Sequence, residues 1–135
     1  RVREKLDTDT SLVLRTFGDV YGNDAGHLEF QYTARASSAL NKAFGAPIGK
    51  SFGITVGAPA AIGVVLADTA VKASTIDVVT YSSPAKGTCY SNEVISGFSG
   101  DSGAVRQAIV AAREVGRELL GALGAYPEST TTPYI

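Results

Sequence analysis

The sequence has 135 residues with 44% hydrophobic and 19% charged side chains, the size and composition of one soluble globular domain. The formal net charge of -1 gives no electrostatic reason to expect nucleic acid as a partner, and the longest apolar run, residues 58–67, is too short to cross a bilayer. A single cysteine, Cys89, excludes an intrachain disulfide and favours a reducing compartment such as the cytoplasm.

Residues 1–26 are predicted to be a linker that ends in a short helix. Apolar residues recur there at helical spacing, at Val13, Phe17, Val20 and Tyr21. Gly22 is available as the residue at which the helix ends. Residues 11–17 fit a strand as well. In residues 27–34 apolar and polar side chains alternate, which predicts a half-buried strand at the start of a domain that spans residues 27–124.

The middle of the chain is predicted to hold two helices and a strand. A short helix is expected over residues 39–45 and a β-prone run over residues 51–57. A longer helix follows Pro59, because proline suits the first helical turn. The apolar residues of this helix nearly encircle its axis, so it is expected to be covered on most sides, and Asp68 and Lys72 form its one clear polar pair.

The C-terminal half is predicted to contain a strand hairpin and a long helix. Residues 76–83 and 93–98 are strand-like and are joined by a turn-rich loop. An apolar stripe of helical period runs through residues 101–124, and residues 125–135 form a tail. This order of elements predicts an α+β sandwich of ferredoxin-like architecture, in which an antiparallel sheet carries helices on one face.

Residues 100–103 read Gly-Asp-Ser-Gly, the string that surrounds the nucleophilic serine of trypsin-like proteases. His27, several aspartates and Ser102 also follow one another in the order that these enzymes use. However, Ser102 opens a long helix, whereas the protease loop leads into β structure, and Ala104 stands where that pattern has its second glycine. Asp101 or Ser102 is better placed as the N-cap of the helix, and no catalytic residue is predicted.

No metal site and no cofactor are predicted within one chain. His27 and Cys89 are the only strong soft-metal ligands, and neither has a partner at metal-ligand spacing. A symmetric oligomer can still bring copies of Cys89 together around an axis, so a passive free thiol and a metal or redox role both stay open.

The stretch from Pro59 to Gly124 resembles a bacterial microcompartment (BMC) shell domain. The resemblance rests on an ordered set of segments: Val71-Lys72-Ala73 at the end of a helix, a strand from Ile76, a loop around Gly87, a strand from Glu93, and Gly100-Asp101-Ser102-Gly103-Ala104-Val105 at the start of a long helix. The early strand in residues 27–34 and the short tail resemble the circularly permuted members of the family, which carry two such domains in tandem. Residues 44–74 most resemble the second domain of tandem shell proteins from propanediol- and ethanol-utilising compartments.

This resemblance implies a structural role without enzymatic activity. Three tandem chains would form a flat, pseudohexameric trimer that tiles the microcompartment shell in the cytoplasm beside other shell proteins and leaves pores for small metabolites. Lys72 matches the family's edge lysine, which packs against a neighbouring tile; the alternative is a solvated lysine paired with Asp68. The loop between the last two strands matches the axial pore loop, and the alternative is a plain surface loop. The candidate pore residues are Ser83, Pro84, Ala85, Lys86, Gly87, Thr88 and Cys89.

Two other functions stay open on the sequence alone. An oligomeric α+β domain that binds a small molecule or regulates another protein is the runner-up, and a hydrolase that uses Ser102 comes third. Tiling into sheets distinguishes a shell subunit from a discrete ligand-binding protein.

Overall fold

The computed structural model describes residues 16–83 and 92–129. Along the chain these residues form β1 (Thr16–Asn23), β2 (Gly26–Thr33), α1 (Ser38–Phe44), β3 (Ser51–Ala58), α2 (Ala60–Ala73), β4 (Asp77–Ser82), β5 (Val94–Gly100), α3 (Ser102–Leu123) and β6 (Glu128–Ser129). The strands make one sheet in the order β4-β5-β3-β2-β1-β6, and every neighbouring pair is antiparallel. Five strands form the body of the sheet, while β6 adds two residues to the edge of β1.

Most of the predicted elements are confirmed. The alternating segment 27–34 is β2, and the β-prone run 51–57 is β3. The two strand-like segments that follow are β4 and β5, which pair as the predicted hairpin. The helices predicted after Pro59 and from residue 101 are α2 and α3.

The helix predicted in the N-terminal segment is wrong for residues 16–23, which form β1. This strand pairs with β2 over its whole length. The spacing of four between Phe17 and Tyr21, which suggested a helical turn, fits the alternation of a strand equally well, and two glycines in the segment disfavour a helix interior. The sheet therefore begins on the N-terminal side of residue 27, inside the interval predicted as a linker.

The main core lies between the sheet and the helices α2 and α3. Alternate residues of β2 point to this side and are buried with apolar residues of both helices and of β5: Leu28, Phe30, Tyr32, Ile62, Leu66, Phe98, Val105, Ile109 and Leu120. Full burial of a Leu, Ile or Phe side chain contributes roughly 1.5–3 kcal/mol. This layer therefore holds both long helices on one face of the sheet, as predicted.

Two glycines let α2 lie close to the sheet. A Cβ built on Gly57 of β3 would lie 2.6 Å from the Cα of Gly63 in α2, and a Cβ on Gly63 would lie 2.6 Å from the Cβ of Val94 in β5. Protein interiors are packed so densely that there is no spare space for either extra carbon. The position of α2 over β3 and β5 therefore depends on glycine at both places.

The short helix α1 packs on the opposite face of the sheet. A Cβ on Gly53 would point at Ile109 of α3, so the neighbouring Phe52 points to the other side. There the Phe52 ring stacks on Phe44 of α1 with ring centroids 5.6 Å apart, within a second, smaller apolar cluster. The two helices predicted on one face of the sheet are therefore α2 and α3, and α1 lies on the other face.

Candidate functional site

One side of α2 is left uncovered by the rest of the described chain. Its residues recur every three or four positions and so share one side of the helix: Ala61, Val64, Val65, Asp68, Val71 and Lys72. We call this side the exposed face of α2. Its three valines are 50%, 38% and 40% exposed, whereas the opposite side of the helix is buried at Ile62, Gly63, Leu66 and Ala70. Among the described residues of this chain, the sheet and α3 cover only one side of α2, so they do not supply the cover that was expected on most sides.

The exposed face of α2 carries an ion pair. The Nζ atom of Lys72 lies 2.6 Å from Oδ2 of Asp68, one helical turn earlier, and the two side chains are 73% and 53% exposed. The polar pair expected from the sequence is thus formed. An exposed pair of this kind contributes only about 0.2–1 kcal/mol to stability. Much of the Lys72 side chain stays accessible to another molecule.

Two hydrogen bonds fix the end of α2 at which Lys72 lies. Ser74 Oγ donates to the carbonyl of Ala104 at 2.5 Å, and Gln107 Nε2 donates to the carbonyl of Ala73 at 3.1 Å. The last carbonyls of a helix have no partner within the helix, so Gln107 satisfies one of them. The backbone that carries Lys72 is therefore held by α3, whose own position is set by the core.

Asp101 and Ser102 lie at the start of α3, where a cap was predicted. Asp101 occupies the N-cap position and its carbonyl accepts the Val105 N–H at 2.9 Å, but its side chain makes no capping hydrogen bond. Ser102 is the first helical residue, is exposed, and its carbonyl accepts a hydrogen bond from the Tyr32 hydroxyl at 3.2 Å. The start of α3 is thus fixed through backbone groups and not through the Asp101 carboxylate.

The fold keeps Ser102 away from His27. Ser102 is next to Tyr32 near the end of β2, whereas His27 lies near the start of that strand. Five residues of extended strand span roughly 17 Å. Nε2 of His27 lies 3.2 Å from Oε1 of Glu29. Because a nucleophile and its base must come within hydrogen-bonding reach, Ser102 and His27 do not form a catalytic pair in this fold.

The described residues on both sides of the predicted pore loop are held by hydrogen bonds. Ser83 Oγ donates to the carbonyl of Glu93 at 3.0 Å, which joins the two ends of the loop beyond β4. Oδ1 of Asn92 accepts the N–H of Ala60 at 3.1 Å, in the first turn of α2. The loop base is therefore tied to α2. The other predicted pore residues fall outside the described part of the chain: Pro84, Ala85, Lys86, Gly87, Thr88 and Cys89.

A second asparagine, Asn23, organises the opposite edge of the sheet. Its Oδ1 accepts the N–H groups of Ala25 and Gly26 at 2.8 and 3.1 Å. Its Nδ2 donates to the carbonyls of Leu120 and Ala125 at 2.9 and 2.7 Å. The hydrogen-bonding roles of Asn23 and Asn92 were not predicted from the sequence. Residues 23–26 read Asn-Asp-Ala-Gly, a turn sequence that indicates the local bonds of Asn23, but its bonds to the end of α3 join residues far apart in the chain.

An ion pair and a stacked arginine join α3 to β1. Nη1 of Arg113 lies 2.7 Å from Oδ2 of Asp19, and both side chains are largely buried. The guanidinium of Arg117 lies 5.0 Å from the ring centre of Tyr21 and 4.9 Å from that of Tyr126. Burial, with Asp19 beside it, raises the pKa of Tyr21 above its ordinary value of 10.0. These contacts hold the segment after α3 against the sheet.

Neither a metal centre nor a membrane-spanning helix is found within residues 16–83 and 92–129. No three His, Cys, Asp or Glu side chains in these ranges are grouped so that they could hold a metal ion. No helix there is both long and apolar enough to cross a bilayer. Cys89, for which a metal or redox role stayed open, is not among these residues.

Residues 51–127 match the family model described as BMC domain. The bacterial microcompartment shell protein PduB of Citrobacter freundii is 63% identical over 121 residues, which cover 90% of this chain and 45% of that protein. The crystal structure of a trimeric bacterial microcompartment shell protein PduB matches with a TM-score of 0.78 and 48% identity, covering 87% of this chain and 52% of that chain. EtuB from Clostridium kluyveri matches with a TM-score of 0.74 and 44% identity, covering 94% and 53%. The chain thus spans about half the length of the relatives it matches.

Proposed function

Because the chain belongs to the BMC-domain family of bacterial microcompartment shell proteins, we propose that it is a structural, non-enzymatic subunit of such a shell. It assembles as a trimer of pseudohexameric outline that tiles the shell in the cytoplasm together with other shell proteins. The observation that carries this proposal is the match, at 48% identity and a TM-score of 0.78, to a shell protein described as trimeric. Since the chain spans about half of that protein, the proposal concerns the domain that this chain contributes.

The exposed face of α2 supports self-association. Val64, Val65 and Val71 lie uncovered on one side of a helix whose other side is already buried. Removing apolar surface from water contributes about 25 cal/mol per Å², and large exposed apolar patches mark association surfaces. A neighbouring tile laid against this face buries the valines, and we place Lys72 at this tile edge.

The loop between β4 and β5 is the proposed pore loop. The hydrogen bonds of Ser83 and Asn92 support it, because they hold both loop ends against the sheet and α2. Small and polar residues such as Ser83 and Thr88 would admit a hydroxylated or carbonyl metabolite, and a ring of Lys86 side chains would favour anions.

Cross-linking through Cys89 tests the pore loop. If the loops of neighbouring subunits converge on one axis, a short bismaleimide should join the subunits of the assembled protein through Cys89, and Cys89→Ser should abolish the product. Absence of cross-linking through Cys89 in the assembled protein argues against the pore loop and leaves the tiling proposal to its own test.

Electron microscopy of the full-length protein tests the tiling. The wild type is expected to form sheets, tubes or six-sided plates, and Lys72→Ala is expected to weaken them. Lys42→Ala removes an exposed lysine from α1 and should tile like the wild type. Discrete particles that never tile, even beside other shell proteins, would contradict the proposal. Saturable binding of a small molecule by such particles would favour the ligand-binding alternative, and fluorophosphonate labelling of Ser102 would favour the hydrolase.

A further inference from the structure

Arg117 of α3 is a cation that has no opposite charge in the described part of the chain. None of the ion pairs found within residues 16–83 and 92–129 includes it. Its Nε atom is buried and has no hydrogen-bond partner among those residues. Moving a charged group out of water is unfavourable unless an opposite charge or hydrogen bonds replace the water. The Arg117 guanidinium is therefore short of one anionic partner.

Two tyrosine rings hold the Arg117 guanidinium without using its N–H groups. Its central carbon, Cζ, lies over the ring of Tyr21 at 5.0 Å from the ring centre and over the ring of Tyr126 at 4.9 Å. Tyr21 is buried and Tyr126 is exposed, so the cation lies at the boundary between core and solvent. A ring face attracts the cation electrostatically, whereas the N–H donors of a guanidinium lie in its own plane. Because Arg117 is only half-buried, a ligand can reach its outer donors.

The carboxylate of Asp19, which lies in the same cluster, is used by other groups. It lies 2.7 Å from Nη1 of Arg113 and accepts a hydrogen bond from the Tyr21 hydroxyl. Arg113 and Arg117 are four positions apart and so share one side of α3. Glu114 is exposed and forms no ion pair with Arg117. The cluster thus holds two guanidinium groups and one carboxylate.

We propose that Arg117 binds one carboxylate group of another molecule beside the exposed ring of Tyr126. Carboxylate is the chemistry that fits, because its two coplanar oxygens match two parallel N–H groups of a guanidinium. Its source is a small organic acid in solution or an acidic side chain of a neighbouring subunit. The site lies on α3 beside β1, on the side of the sheet away from β4. It therefore goes beyond the tile edge and the pore loop of the proposed function.

Saturation-transfer NMR with acetate as the probe tests the site on the assembled, full-length protein. Wild-type protein is expected to transfer saturation to the acetate methyl group, and Arg117→Gln is expected to lower this transfer at least about fivefold, because it removes the charge-assisted hydrogen bonds. Arg117→Lys keeps the charge but lacks the planar fork, so its transfer should also fall below that of the wild type. Arg106→Gln removes an exposed arginine from the same helix and should behave as the wild type does. Methylammonium, a cation of similar size, should show no dependence on Arg117.

A second measurement distinguishes the two sources of the carboxylate. If a neighbouring subunit supplies it, the site is filled in the assembled particle and the acetate transfer does not depend on Arg117. Sedimentation velocity of diluted protein should then show that Arg117→Gln particles dissociate at a protein concentration at least about tenfold higher than wild-type particles do. Arg106→Gln particles should dissociate at the wild-type concentration.

Circular dichroism separates loss of the site from loss of the fold. Each variant should give the wild-type spectrum, and Arg117→Lys replaces Arg117→Gln in both comparisons if the glutamine variant does not. Folded Arg117 variants that match the wild type in acetate transfer and in dissociation would show that the carboxylate site is wrong. Tiling of the wild-type protein is measured separately, so the proposed function stands or fails independently of this site.

Discussion

Replacing Gly63 by alanine is expected to destabilise the fold, although alanine is the better helix former. Inside a helix, alanine is favoured over glycine by about 1 kcal/mol on propensity alone. Against this gain, a Cβ at position 63 would lie 2.6 Å from the Cβ of Val94 and 2.8 Å from the carbonyl oxygen of Gly57. Neither atom is the far end of a flexible side chain, so α2 would have to move away from the sheet.

The clash is the larger of the two effects. Overpacking of a well-packed core costs about 1–3 kcal/mol, with the higher values where the backbone has to shift. Because α2 has to move, the upper part of this range, about 2–3 kcal/mol, applies, and subtracting the propensity gain of about 1 kcal/mol leaves an expected net loss of roughly 1–2 kcal/mol for Gly63→Ala. Gly103 is the matched control, because it lies in the first turn of α3 and a Cβ built on it meets nothing within 4 Å. Gly103→Ala is expected to stabilise the protein by up to about 1 kcal/mol.

Urea unfolding followed by far-ultraviolet circular dichroism measures both changes. The unfolding midpoint should fall for Gly63→Ala and rise for Gly103→Ala, with little change in the slope of the transition. A Gly63→Ala protein as stable as the wild type, or shifted in the same direction as Gly103→Ala, would refute the close approach of α2 to β3 and β5.

Three further changes test other parts of the fold. Asn92→Ala removes the acceptor for the Ala60 N–H at the start of α2 and should lower the free energy of unfolding by about 0.5–2 kcal/mol in urea titrations; no loss would contradict that link. The buried Thr55 hydroxyl has no hydrogen-bond partner among the described residues. Thr55→Val should therefore leave the free energy of unfolding unchanged or raise it by about 1 kcal/mol. A clear loss of stability in the same titration would show that the hydroxyl does have a hydrogen-bond partner. Burial and the neighbouring Asp19 raise the pKa of Tyr21 in the folded state above 10.0. The neutral form of Tyr21 therefore contributes stability that is complete below pH 10. This contribution is lost as the pH rises through the folded-state pKa. Unfolding midpoints measured across that range should fall less for Tyr21→Phe than for the wild type, and an equal fall would contradict this role of Tyr21.

The parts of the fold that depend on local pattern were predictable from the sequence. Alternation through Leu28, Phe30 and Tyr32 identified β2, and the apolar stripe identified α3. The ordered motifs from residue 59 to residue 124 identified the BMC family, and the match over residues 51–127 together with the structural match to shell proteins confirms both the family and the fold class. Periodicity alone would have given only an α+β sandwich.

The parts that depend on long-range packing were not predictable. The spacing of four in β1 serves a helix and a strand equally, and only pairing with β2 decides between them. The apolar residues around α2 suggested a covered helix, but sequence alone does not say whether the cover comes from the same chain or from another. Asn92 and Ala60 are bonded across 32 positions of sequence, which no local pattern reports. The edge role of Lys72 and the pore role of the β4–β5 loop stay predictions.

The rotational symmetry of the assembled particle tests the central claim most directly. Cryo-electron microscopy of the purified full-length protein, averaged without imposed symmetry, is expected to show a three-fold ring with a nearly six-fold outline and the β4–β5 loop around its axis. A monomer, a dimer or a ring of another order would contradict the proposal that this chain belongs to a trimeric shell tile.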